Sequence, residues 1–252
     1  MRILDYSLWI MTPVLCAVGL GIGIWKKYLS SFPMLFSAMA NAVFGALVVG
    51  ILILLWGTFP RVAGLYNWFA VAFCIQTFFL EVAVIYELWD KVVLSRSSLA
   101  SVFRPLPRWS AAVLFLFATA ITALLPQNVP DRALKVYSTI SVSATLMDLT
   151  WLIVLLAVSR AVGVSWGILP AAVALGITMS DTVETAGSML LNYVGPHYYV
   201  DIIEQSASLL GAVVWVIGIV LYAKSEKVQN TRMRLPEDAV AASEHLVEML
   251  DG

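Results

Sequence analysis

Seven apolar stretches, each long enough to cross a bilayer, take up most of this 252-residue chain. A helix needs about 20 consecutive apolar residues to span the hydrocarbon core. A soluble core has no use for so many runs of that length. A segment in hydrocarbon must also satisfy its own backbone N–H and C=O groups, which a helix does internally. The expected fold class is therefore all-α, a polytopic transmembrane bundle of seven helices. Only 12% of the residues are charged, against about 25% in an ordinary soluble chain. The spans read as Leu8–Trp25, Phe32–Trp56, Leu65–Trp89, Trp109–Leu125, Leu134–Val158, Ser165–Tyr193 and Ile202–Tyr222. Turn signals separate them at Gly57 and Pro60, Pro105 and Pro107, Pro126 and Pro130, and Gly195-Pro196. The first run ends in Lys26-Lys27 and reads as a retained span rather than a cleaved signal peptide.

Charge distribution sets the orientation. One set of loops holds Lys26, Lys27, Lys91, Arg96, Arg104, Arg108, Arg160, Lys224, Lys227, Arg232 and Arg234. The other side holds only Arg2, Arg61, Arg132 and Lys135. The positive-inside rule then puts the N-terminus outside and the C-terminus in the cytoplasm, as expected of a multi-pass inner-membrane protein. Trp9, Trp25, Trp56, Trp68, Trp89, Trp109 and Trp166 fall near span ends, as in an aromatic belt.

Residues 1–223 read as the transmembrane domain and 224–252 as a cytoplasmic tail, with no soluble domain appended. Lys224 to Arg234 is basic and is expected to lie along anionic headgroups. Pro236-Glu237-Asp238 starts an acidic helix, with Val240, Leu246, Val247, Met249 and Leu250 on its apolar side. Residues 236–252 are either a frayed surface helix or a docking element for a cytoplasmic partner protein. The lipid bilayer is the other expected partner. Net charge gives no reason to expect nucleic acid.

The spans also carry acids. Glu81, Asp148 and Asp181 fall near the midplane of spans three, five and six, with Glu184 in the same span as Asp181. An acid inside a span costs on the order of 3 kcal/mol on insertion scales. No Lys, Arg or His lies at comparable depth. Polar residues share faces with these acids: Ser138, Ser141 and Thr145 with Asp148; Thr178, Thr185 and Ser188 with Asp181; Thr77 with Glu81; and Asn41 in span two. The expectation is an intramembrane polar core of Glu81, Asp148, Asp181, Glu184, Asn41 and Thr145. Its acids are either neutral hydrogen-bond donors or hold a cation. Replacing Asp148 by Leu is expected to strand the Ser141 and Thr145 hydroxyls unless they turn back to their own helix carbonyls. Glu87 and Lys91 form an i,i+4 pair that reads as interfacial anchoring or a contact to a cytoplasmic loop.

At the start of span seven, His197, Asp201 and Glu204 share a face continued by Ser208, Gly211 and Trp215. One His and two carboxylates suit a divalent metal, although polar residues at a water interface need no such explanation. No cofactor is expected. A retinal Schiff base needs a mid-membrane lysine, and all six lysines stand at span ends or in loops. Cys16 and Cys74 lie inside apolar runs and form no disulfide framework or metal spacing. No Gly-rich phosphate loop, nucleophile elbow or zinc-hydrolase motif is present. Pro170 and Gly176 interrupt span six, and no internal repeat of the kind found in transporters is evident.

The Lys26-Lys27 turn leading into Phe32-Pro33, and the aromatic-rich span three ending Val84-Ile85-Tyr86-Glu87, carry a resemblance over roughly residues 8–222. The chain resembles the small uncharacterised seven-helix integral membrane proteins of bacteria. It is similar in layout to the seven-helix membrane input modules of sensor kinases. The tail stops at Gly252 without a kinase domain, so a separate protein would read any output. The absence of catalytic motifs, the compact loops and the amphipathic cytoplasmic tail favour a non-enzymatic sensory or interaction module. A small transporter or proton/cation pathway using the midplane acids is the alternative, with a lipid-modifying enzyme a third reading.

Overall fold

The structure is a computed structural model that describes residues 2–56, 62–94, 106–124, 132–194 and 198–233. Among the described residues there are seven α-helices and no strand. They are α1 (Arg2–Trp25), α2 (Pro33–Trp56), α3 (Val62–Trp89), α4 (Leu106–Leu124), α5 (Arg132–Ala161), α6 (Ile168–Val194) and α7 (Tyr198–Met233). Five contain segments long and apolar enough to cross a membrane: Ser7–Trp25, Pro33–Leu55, Trp68–Leu94, Thr139–Ala161 and Ile202–Ser225. The other two helices are α4 and α6. Asp181, Glu184 and several Ser and Thr residues dilute the apolar character of α6.

Local chemistry fixes the helix ends. Lys27 adopts a left-handed conformation (φ 59°) and closes α1, and a 3₁₀ turn over Tyr28–Ser30 leads to α2. Pro33 takes the first position of α2, where its missing N–H costs nothing. Gly163 (φ 72°) ends α5. Its N–H reaches the Arg160 carbonyl at 3.1 Å, and the Val164 N–H reaches that of Ser159 at 2.9 Å. This pair of bonds satisfies carbonyls that the helix end would otherwise orphan.

Several sequence expectations are corrected here. Past Trp89, helix α3 continues as a π-helical turn over Asp90–Leu94, which keeps Val92 and Val93 buried. Trp89 is accordingly a core residue with no exposed surface rather than part of an interfacial belt, whereas Trp25, Trp68 and Trp109 are exposed at helix ends. Pro170 lies in the first turn of α6, where proline is tolerated, so span six is not interrupted. Helix α7 runs unbroken to Met233 through the basic segment. Its 36 residues make it roughly 54 Å long at ~1.5 Å per residue, longer than a bilayer core.

The helices do not pack simply in chain order. α1, α2, α3, α5, α6 and α7 each pack against the next, and α7 returns to α1, closing a ring of six. α4 stands outside the ring and packs mainly on α5. Covered by α3, α6 and α4, helix α5 is the most buried of the apolar spans. Ser143 donates to Thr122 across the α4–α5 contact at 3.2 Å. Helices α6 and α7 approach most closely, through small residues: Gly176 faces Gly211, and Gly218 faces Ala172. A Cβ at Gly211 would stand 2.9 Å from the Gly176 carbonyl oxygen. Small residues let helices meet where no water drives them together. Large apolar side chains such as Leu54, Phe79, Leu116 and Ile153 are exposed on the outside of the bundle. An outer surface of this kind suits lipid.

The ring interior has two unlike halves. At the end where α2 begins and α3 finishes, Leu35, Phe36, Met39, Ile85, Leu88, Trp89, Trp151, Leu155, Leu169 and Ile219 are fully buried against one another. This half is a largely apolar plug, with the Glu87 carboxylate buried at its edge. Asn41, Thr145, Asp148 and Asp181 are buried in the other half.

An acid-lined cavity inside the helix ring

A cavity of about 170 Å³ lies inside the ring. Asn41 from α2, Thr77 and Glu81 from α3, and Asp181 and Glu184 from α6 line it. Ser208 and Trp215 close it from α7. Each polar residue points inward because its helix turns an apolar face to the outside.

Several donors near the cavity are engaged within the protein. Asn41 donates its amide N–H to the Thr77 hydroxyl at 3.0 Å. Ser180 donates to Oδ1 of Asp181 at 3.2 Å. Ser141 on α5 donates to the Glu184 carboxylate. Thr185 donates to Thr145 at 2.8 Å, and Thr145 turns back to the Val142 carbonyl at 3.2 Å. Among the described residues, buried acceptors without partners include Oδ1 of Asn41, Oδ2 of Asp181 and both carboxyl oxygens of Asp148. Asn41 is 7% exposed, Asp181 4% and Asp148 0%. Native proteins seldom leave such atoms unsatisfied.

The structure thus brings Glu81, Asp181, Glu184 and Asn41 to one cavity, with Thr145 and Asp148 buried on α5 behind it. Carboxyls from α3, α5 and α6 thus gather in and behind one cavity. Neither the Ser141 nor the Thr145 hydroxyl depends on Asp148: Thr145 turns back to its own helix, the exception the sequence allows, and Ser141 donates to Glu184 instead. Thr178, expected on the inward stripe, is exposed and donates to its own helix at Ala174.

A second space adjoins the cavity toward one end of the bundle. A larger space of about 530 Å³ reaches from Leu8 and Trp9 on α1 and Phe69 on α3. It shares Thr12, Ala42, Glu184 and Ser208 with the acid-lined cavity. Glu184 therefore stands at the junction. Pro13, inside α1, lines this vestibule and has no N–H to offer the Trp9 carbonyl. At the opposite end a groove of about 610 Å³ is lined by Met34, Phe79, Tyr86, Glu87 and Trp151, among others, and shares no lining residue with the acid cavity. The apolar plug lies at this end.

Glu87, read as an interfacial anchor, has a different place. It is buried, and its two oxygens accept from the backbone N–H groups of Leu35 at 3.2 Å and Met34 at 3.5 Å. It caps the start of α2 from another helix, where the helix dipole favours an anion. The Lys91 ammonium lies 5.8 Å from the Phe32 ring centre in the same region. Tyr222 meets the rings of Tyr28 and Phe32 edge-on, pinning the α1–α2 turn to α7.

Of the metal candidates, His197 and the Asp201 side chain lie outside the described residues, as does the whole segment 236–252. Glu204 lines the vestibule beside Gly187. Among the described residues, no group of three or more His, Cys, Asp and Glu is placed to hold a metal ion. No family model, curated protein or solved structure matches this chain.

Proposed function

We propose that this is a multi-pass protein of the bacterial inner membrane that receives a proton or small cation in its acid-lined cavity and acts as a sensory or interaction module. The N-terminus is outside and the C-terminus cytoplasmic, following the distribution of Lys and Arg. One observation carries the reading. Buried acceptors without donors stand in a cavity that adjoins a vestibule at one end and meets an apolar plug at the other. A cation arriving from the N-terminal end of α1 would neutralise the carboxyls and alter how α3, α5 and α6 pack. A cytoplasmic protein docking on residues 236–252 would read the change.

A second reading is a proton or cation pathway. Its support is the spread of carboxyls over three helices, from Glu184 at the vestibule to Asp148 behind the cavity. In that case the plug is one state of an alternating gate. The purified protein in sealed liposomes separates the two. Saturable cation or proton uptake by the protein without net flux supports the module. Flux that Glu81→Gln abolishes supports the pathway. Neither uptake nor flux in any ionic condition refutes both.

A further inference from the structure

The cavity places further demands on what enters it. Its unpartnered atoms, Oδ2 of Asp181 and Oδ1 of Asn41, are both acceptors, and both residues are more than nine-tenths buried. Among the described residues, no basic side chain lines it. The missing component is a donor, and beside the carboxyls of Glu81, Asp181 and Glu184 a positively charged one. A bare metal ion fits poorly. Such an ion needs several oxygen ligands converging within about 2.0–2.6 Å, and among the described residues no such grouping of acids exists. The acids are instead distributed around a space of about 170 Å³. That is close to the roughly 150 Å³ of an engineered apolar cavity that takes up benzene.

The rest of the wall is apolar. Ala38, Val84, Ile177 and Ala212 line it. So does the Trp215 indole, which is fixed because its Nε1 donates to the Val173 carbonyl at 3.2 Å. An indole face attracts a cation and packs against a flat apolar body. A primary ammonium has three donors and no acceptor, which complements Asp181, Asn41 and Glu81.

We infer that the acid-lined cavity is a binding site for a small organic ammonium ion of about benzene's bulk, entering from the vestibule. The inference rests on the cation-receiving reading and names the class of cation.

The test uses the full chain in detergent or lipid nanodiscs. Three kinds of probe are titrated calorimetrically: benzylammonium chloride, benzyl alcohol, and sodium, potassium or calcium chloride. Benzylammonium is expected to bind saturably and to raise the melting temperature, while benzyl alcohol at equal concentration does neither. Asp181→Asn should weaken benzylammonium binding about ten- to a hundredfold, the usual effect of losing a hydrogen bond to a charged group. Thr178→Ala, an exposed change on the same helix, should bind like the parent. If Asp181→Asn does not fold, Glu81→Gln carries the same test, because Glu81 lines the same cavity. Benzyl alcohol binding as tightly as benzylammonium overturns the inference, because the site is then merely apolar. Metal-ion binding without benzylammonium binding also overturns it but leaves the cation reading standing. Silence from every probe, together with no proton uptake, removes that reading as well.

Discussion

Replacing Asp148 by valine should make the protein more stable and less functional. Both oxygens of Asp148 are buried and unpartnered. An unsatisfied buried polar group costs about 1–3 kcal/mol. Valine removes the polar atoms at little cost in helix propensity, since Val and Asp rank together in a helix interior. Nothing else is stranded, because the Ser141 and Thr145 hydroxyls bond elsewhere. The expected gain is therefore about 1–3 kcal/mol. For a chain of this size, each kcal/mol moves the melting temperature by about 2–4 °C. The assay is thermal unfolding of the purified protein in detergent, with Asp148→Asn as the comparison. Asparagine keeps unpartnered polar atoms and should stay within about 1 kcal/mol of the parent. The valine variant should lose its response to cations, the usual trade where a destabilising group is kept for function. Destabilisation by ~2 kcal/mol or more in the valine variant would mean that Asp148 holds a partner, and the reasoning would fail.

Three further outcomes are expected. Glu87→Ala should destabilise by about 2 kcal/mol by orphaning the Leu35 and Met34 amides, and Glu87→Gln by about half that, as urea or thermal unfolding would show; equal losses would deny the cap its charge. Gly211→Ala should cost about 1–3 kcal/mol by forcing α6 and α7 apart, whereas Gly50→Ala, with nothing within 4 Å of the added carbon, should be neutral or slightly stabilising. A reporter active only in the periplasm, fused after Gly252, should be silent; an active fusion would reverse the orientation.

How much of this was legible in the sequence varies with the physics involved. Hydropathy marked all seven helices to within a few residues at most ends, because the bilayer leaves a segment so few ways to satisfy its backbone. It also picked out the acids, since a carboxyl in an apolar run has no other explanation than the bundle interior. The helix ring was not legible. Helices α2 and α3 are apolar almost all round, so periodicity gave no face and no neighbour. Nothing local says that α4 stands outside while α7 returns to α1. The i,i+4 spacing shows the Lys91 neighbour of Glu87 but not the Leu35 amide that its carboxylate accepts from, 52 residues away at the start of α2. Gly176 was read as an interruption, although Gly211 and Gly218, seven apart on α7, were a usable signal for close helix contact. Trp89 stands at a span end in the sequence, but it packs in the core with Val92 and Val93 rather than in a belt, which no local pattern shows.

The acid-lined cavity adjoins a space at the N-terminal end of α1. Ser208 lines both the cavity and the vestibule and offers the most direct measurement. Cys16 and Cys74 are replaced by alanine, Ser208→Cys is introduced, and membrane-impermeant thiol reagents of opposite charge are applied to each face of sealed vesicles. The cysteine should react only from the face bearing the start of α1. The cationic reagent should react at least about tenfold faster than the anionic one, as charge focusing in an acid-lined cleft requires. Equal rates for the two reagents, or reaction from the face bearing the basic loops, would contradict a cation site entered from that face.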